Sequence, residues 1–143
     1  MKRIRLLILL SVLAVALPLG VLSGVAKATG GDGSSISINQ NAQVDTDGFQ
    51  VTVGLRVRCP SGPFGTIDVK VRQDPPETPV STSGDALVKD VVCDGQTHSV
   101  SATVVANGIP FDAGRAYATA AFTFAGGGTA SAARWITIIA MPG

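Results

Sequence analysis

Between residues 49 and 59 the apolar groups Phe49, Val51, Val53, Leu55, Val57 and Cys59 alternate with Gln50, Thr52, Gly54, Arg56 and Arg58. A period of two places one set in a core and the other in water, the signature of a half-buried strand. At about 100° per residue the same groups would scatter around a helix and bury no stripe. Residues 66–73 repeat the pattern, with Ile67, Val69 and Val71 inward, and residues 60–65, which hold Pro60, Gly62, Pro63 and Gly65, read as the intervening turn. Four further runs, 87–93, 97–106, 116–124 and 130–139, are rich in Val, Ile, Thr, Phe or Ala and are separated by glycine-bearing turns. A weaker strand is predicted over 35–40.

Seven short strands without a helix-period segment predict an all-β, antiparallel, immunoglobulin-like β-sandwich. Pattern alone leaves a small barrel as the alternative. The longest stretch without strand character is 73–85, where Pro75, Pro76 and Pro79 stiffen the start and Ser81, Ser83 and Gly84 loosen the end. It reads as a crossover between the two sheets, or, more sharply, as a presented loop built on Pro75, Pro76, Glu77, Thr78 and Pro79, because loops on a rigid sandwich carry function more often than strands do.

The N-terminus has a different character. Lys2, Arg3 and Arg5 precede an uncharged, largely aliphatic run from residue 6 to residue 26, which ends at Ala26, Lys27 and Ala28. Basic start, apolar middle and small-x-small end are the pattern of an export signal, with cleavage expected after Ala28. Pro18, Gly20 and Gly24 interrupt the run and argue against a permanent membrane anchor. The predicted organisation is a signal peptide over 1–28, a flexible mature N-terminus over 29–34 and a single β-sandwich domain over 35–143, secreted to the extracellular space.

Cleavage changes the charge. It removes four of the 11 basic residues and none of the 10 acidic ones, so the mature chain stands near −3 instead of +1. Such a balance gives no electrostatic footprint for nucleic acid or for an anionic membrane surface. An oxidising destination also lets a disulfide persist. Cys59 closes the second predicted strand and Cys93 the fourth, and two chain reversals bring both to one end of the sheet, so a Cys59–Cys93 bridge is expected. The wide spacing lacks the Cys-x-x-Cys form of redox pairs.

Catalytic chemistry finds little support. His98 is the single histidine, no Gly-x-Ser-x-Gly element accompanies it, and Ser99 lies on the opposite strand face. His98 therefore reads as a rim residue. Asp45, Asp47 and Gly48 resemble the opening of a calcium loop, but the later ligands are missing and Glu77 is the only glutamate, which favours a turn. The expectation is no catalytic residue, no metal ligand and no cofactor. On the last strands Tyr117, Trp135 and Ile139 occupy odd positions while Phe122, Phe124, Ile136 and Ile138 occupy even ones. One set is core; the other is a covered strand face or an exposed patch in which Tyr117 and Trp135, with Arg115 or Arg134, would suit a carbohydrate or protein contact.

Cys59, Gln73 at the close of the third predicted strand, Cys93, Asp94 and Gly95 followed by His98 and Val100, and Phe111 ahead of Gly114, Arg115, Ala116, Tyr117 and Ala118 together resemble an uncharacterised family of small secreted actinobacterial proteins. The resemblance implies a one-disulfide β-sandwich outside the cell and brings no established activity. The functional expectation is a secreted, non-enzymatic binding or interaction module. Its partner would be an extracellular protein, a cell-wall polymer or a small molecule, with no nucleic acid and no stable membrane insertion after signal cleavage. The alternative is a protease inhibitor that presents the 74–85 loop.

Overall fold

The computed structural model describes residues 28–29, 33–125 and 127–142. The predicted signal peptide, apart from Ala28, lies outside the described residues. A two-residue strand β1 (Ala28–Thr29) is followed by β2 (Ser35–Val44), β3 (Gln50–Arg58), β4 (Gly65–Gln73), β5 (Thr82–Val91), β6 (Thr97–Ala106), β7 (Gly114–Phe124) and β8 (Thr129–Ala140).

These strands do not form the expected sandwich. They make one sheet in the order β1-β2-β3-β6-β5-β4-β7-β8, and β2 also pairs with β8, so seven strands close into a barrel. The closing pair is parallel, Asn41 to Val44 against Thr137 to Ala140, which makes the sheet mixed instead of purely antiparallel. The cause lies in β2. Its pairing with β3 shifts register between Ile38 and Ala42, and after this bulge the strand continues for four residues beyond the predicted end at 40. A bulge turns and twists a strand, and here the continuation past it is the part that meets β8.

Inside the barrel the alternation is almost complete. Val51, Val53, Leu55 and Val57 of β3, Ile67, Val69 and Val71 of β4, and Ile136 and Ile138 of β8 are all buried. On β7 the inward positions Ala116, Ala118 and Ala120 are small and Phe122 is large. A seven-stranded barrel is narrow enough for side chains to fill it, and mixing small with large groups across the interior packs the taper.

One seam stays open. β5 and β6 pair only through Gly84↔Ala106 and Asp85↔Val105, whereas each runs a full ladder on its other side, β5 with β4 and β6 with β3. A Cβ on Gly84 would collide with the Val105 carbonyl and lie 2.9 Å from Val104 Cγ1, so the absence of a side chain is what permits this contact. At the opposite end of the seam the Cys59–Cys93 disulfide, with Cα atoms 4.9 Å apart, ties the end of β3 to the end of β5 past the start of β6. Gly95 N donates to Cys59 O at 2.8 Å and Gly62 N to Cys93 O at 3.2 Å, which locks the two flanking loops together. The predicted bridge is therefore present.

The connections differ from expectation at one point. Because β4 and β5 are antiparallel neighbours, the segment between them is a hairpin connection over 74–81 and not a crossover between sheets. The loop at Asp45 to Gly48 is the expected tight turn between β2 and β3. Gly48 N donates to Asp45 O at 3.2 Å, and Asp45 Oδ1 accepts from Gln50 N at 3.2 Å. Gly48 sits at φ +79° with the Phe111 backbone packed against it, a place only glycine fills without strain.

Candidate functional site

On β7 and β8 the even positions point into the barrel and the odd ones point out. Tyr117 and Trp135 are directly paired across the two strands and are 39% and 51% exposed, so the outward face carries an aromatic pair in solvent. Their rings meet edge to face, with centroids 5.1 Å apart and planes at 61°. The Arg115 guanidinium lies over the Trp135 ring, 4.1 Å from its centroid, a cation–π contact that orients both groups. Ile139 extends the same exposed face.

Beside this stack, across β7, lies a groove of about 720 Å³ on the outer face of β4, β5 and β7, where Tyr117 forms one wall. Register explains the neighbourhood. Arg72 of β4 pairs with Tyr117 and Lys70 with Thr119, so the polar positions of β4 line up beside the aromatic pair. Asp85 and Asn107 close the far side, with Asn107 Nδ2 donating to Asp85 Oδ1 at 3.4 Å. Arg72 Nε is held by Asp74 Oδ1 at 2.9 Å, and Ser81 Oγ donates to the same oxygen at 2.6 Å. Those bonds from Ser81 and Arg72 hold the Asp74 carboxyl below its ordinary value. The result is a wall of hydrogen-bonding groups of both signs next to two exposed rings.

Of the two arginines expected to join this patch, Arg115 does and Arg134 does not. Arg134 stands at an even, inward position of β8, and its Nη1 donates to Ile38 O at 3.0 Å, on the opposite side of β8 from Tyr117. The residues expected to form a presented loop are folded back. Glu77 N donates to Asp74 O at 3.2 Å, Thr78 Oγ1 donates to Gln73 O at 3.5 Å, and Thr78 is 1% exposed. Pro75, Pro76 and Pro79 remain in solvent, and Glu77 is half-buried.

His98 sits at the end of β6 on the barrel rim, with Nε2 2.8 Å from Asp94 Oδ1. Asp94 Oδ1 also accepts from Gln96 N at 2.9 Å, and this bond, followed by the one to His98, holds the Asp94 carboxyl below its ordinary value. Ser99 pairs with Arg56 on the outer face and faces away from His98, as the strand parity required.

The sequence pattern missed Lys70, Arg72, Asp85, Asn107 and Thr119. The outward parity of Lys70 and Arg72 was visible, but their meeting with Tyr117 depends on β4 pairing with β7 across two intervening strands of sequence. It also missed what Gln73 does. This side chain is wholly buried, its Nε2 donates to Asp112 O at 2.8 Å, and its Oε1 accepts from Asp112 N at 2.9 Å, which clamps the β6–β7 connection to the end of β4. Compared with known protein families and curated proteins, the chain matches no family model and no curated sequence. The disulfide is compatible with an extracellular location, and among the described residues no helix is long and apolar enough to cross a membrane.

Proposed function

We propose that this chain is a secreted, non-catalytic binding module whose outer face over β4, β7 and β8 engages a cell-wall polysaccharide. The observation that carries this reading is the exposed Arg115–Trp135–Tyr117 stack beside a polar groove. Sugar rings have apolar C–H faces that rest on aromatic rings and hydroxyl rims that exchange hydrogen bonds with carboxylates, amides and cations. Trp135 and Tyr117 supply the first kind of surface, and Lys70, Arg72, Asp85 and Asn107 the second. A stiff barrel under the patch keeps these groups in place before the ligand arrives, which limits the ordering cost of binding. Inhibition of a protease through the 74–85 segment is the weaker reading, because Thr78 is turned inward and bonded to Gln73 instead of being offered to a cleft.

Trp135 is the only tryptophan, so intrinsic fluorescence reports on this site alone. Oligosaccharides released from cell-wall polymer should shift the emission saturably, and Trp135→Ala should reduce retention of the protein on the insoluble polymer by tenfold or more, as loss of an aromatic anchor that is covered on binding does. Unchanged fluorescence together with no retention of the wild-type protein would sink the polysaccharide reading. Capture of a single extracellular protein in a Trp135-dependent manner would instead move the ligand class to protein.

A further inference from the structure

The bulge in β2 makes a second pocket, of about 440 Å³, on the other side of β8 from the aromatic stack. Ser37, Asn39, Gln40 and Asn41 line it from β2, Arg56 from β3 and Arg134 from β8. Its chemistry is one-sided: two guanidiniums and three side-chain amides, with no carboxylate in the lining. Arg134 uses one of its five N–H groups, on Ile38 O, and its Nε is shut from solvent with no acceptor. Among the described residues Arg56 has neither a hydrogen-bonded nor an ion-paired partner through its side chain. Two arginines close to one pocket repel each other, and a buried donor without an acceptor costs roughly 1–3 kcal/mol. An anion with several acceptor oxygens entering the pocket relieves the repulsion and gives acceptors to the N–H groups of both guanidiniums that face it.

Local backbone supports the same ligand. Ile38 is the last residue of β2 paired with β3 before the bulge, and the parallel pairing with β8 begins only at Asn41↔Thr137, so Ile38 O is open to Arg134. Asn39 lies flat over Gly54, where any Cβ would strike its amide, so the sequence reserves space for this side chain at the pocket wall. Arg56 pairs with Ser37 on the outer face of β3 and β2, and both line the pocket that Arg134 reaches from β8. The planar guanidinium fork suits oxygens held in a plane or tetrahedron, as in a carboxylate or a sulfate, better than it suits a halide.

We infer that the β2 bulge is an oxyanion-binding site in which Arg56 and Arg134 hold a carboxylate or sulfate group. The pocket stands whether or not the β4–β7–β8 face binds a polysaccharide, since it shares no residue with that face.

The test is a titration of the isotopically labelled protein with sodium sulfate at constant ionic strength, followed by the backbone and side-chain amides of residues 39–41 and the Arg134 Nε–H. A second titration uses an oligouronide and its neutral counterpart. Saturable shifts confined to these resonances are expected, weakened about tenfold by Arg56→Gln. Lys89→Gln, an equal change of charge on exposed β5, should leave them unchanged. Saturation with sulfate identifies a free-anion site. Saturation with the oligouronide alone identifies an acid group carried on a polymer. Shifts that never saturate, that spread over the surface, or that survive Arg56→Gln at full affinity overturn the assignment. Arg134→Gln is the stronger perturbation, but Arg134 also bonds Ile38 at the closure, so the decision rests on the exposed Arg56.

Discussion

Replacing Cys59 and Cys93 together by alanine removes the one covalent link across the open half of the β5–β6 seam, and its cost follows from the chain and the fold. The bridge spans a sequence separation of 34. In the chain-entropy model, closing a loop of that length withholds about 12.5 cal/mol/K from the unfolded state, or ~4 kcal/mol at 25 °C. Both sulfurs lie in the core, so alanine also leaves a small void worth ~1 kcal/mol. A loss of ~5 kcal/mol is a large part of the 5–15 kcal/mol typical of a domain and lowers Tm by roughly 20 °C at this size. The loss should also be uneven. Past Asp85, β5 has β4 on one side and no ladder on the other, so without the bridge its end is held by β4 and side-chain packing alone. Urea unfolding measures the total, and native-state hydrogen exchange followed by mass spectrometry measures its distribution. Amides of residues 86–91 should lose protection well before those of β3, which is paired along both edges. Reduction of the wild-type protein should reproduce the pattern without the void. A loss below about 1 kcal/mol, or equal loosening of β3 and β5, would refute the role assigned to the bridge.

Two further outcomes follow from single residues. Gln73→Leu keeps the volume near the end of β4 but strands the N–H and C=O of Asp112, so denaturant unfolding should show a loss of ~2–4 kcal/mol, with Gln73→Glu recovering part of it through the acceptor alone. Asp94 and Asp74 both have folded-state pKa values below 3.8, so each contributes stability that is fully present above that pH and disappears as pH falls through the lowered value. Acid titration of stability should therefore steepen below pH 3.8 in the wild type and flatten in Asp94→Asn and Asp74→Asn.

Strand positions were legible wherever a strand is half-buried. Residues 97–106 were predicted with the observed ends, and 49–59 and 66–73 differ from β3 and β4 by a single residue at one or both ends. The errors have local causes. The start of β5 looks like loop because Thr82, Ser83, Gly84 and Asp85 are small or polar, yet Gly84 is small because the β6 backbone crosses it there. The end of β2 looks like a turn because Asn39, Gln40 and Asn41 break the alternation, yet they are the bulge, and Ala42 and Val44 resume the inward pattern beyond it. A strand cut short at 40 cannot reach β8, and without that contact the remaining strands are most simply stacked as two sheets. The sandwich and the truncated strand are one error.

The same division separates the two candidate sites. Tyr117, Trp135 and Arg115 belong to consecutive strands joined by a short turn, so parity and hairpin pairing place them together without knowledge of the rest of the fold. Parity also separates Arg134 from them, since an even position next to Ile136 and Ile138 points to the core. A charged side chain at such a position is costly unless some polar group receives it. The inward Arg134 therefore calls for an acceptor close to the core face, and Ile38 O at the edge of the β2 bulge is that acceptor. Placed by parity, Arg134 points to the bulge, to the longer β2, and from there to the closed barrel.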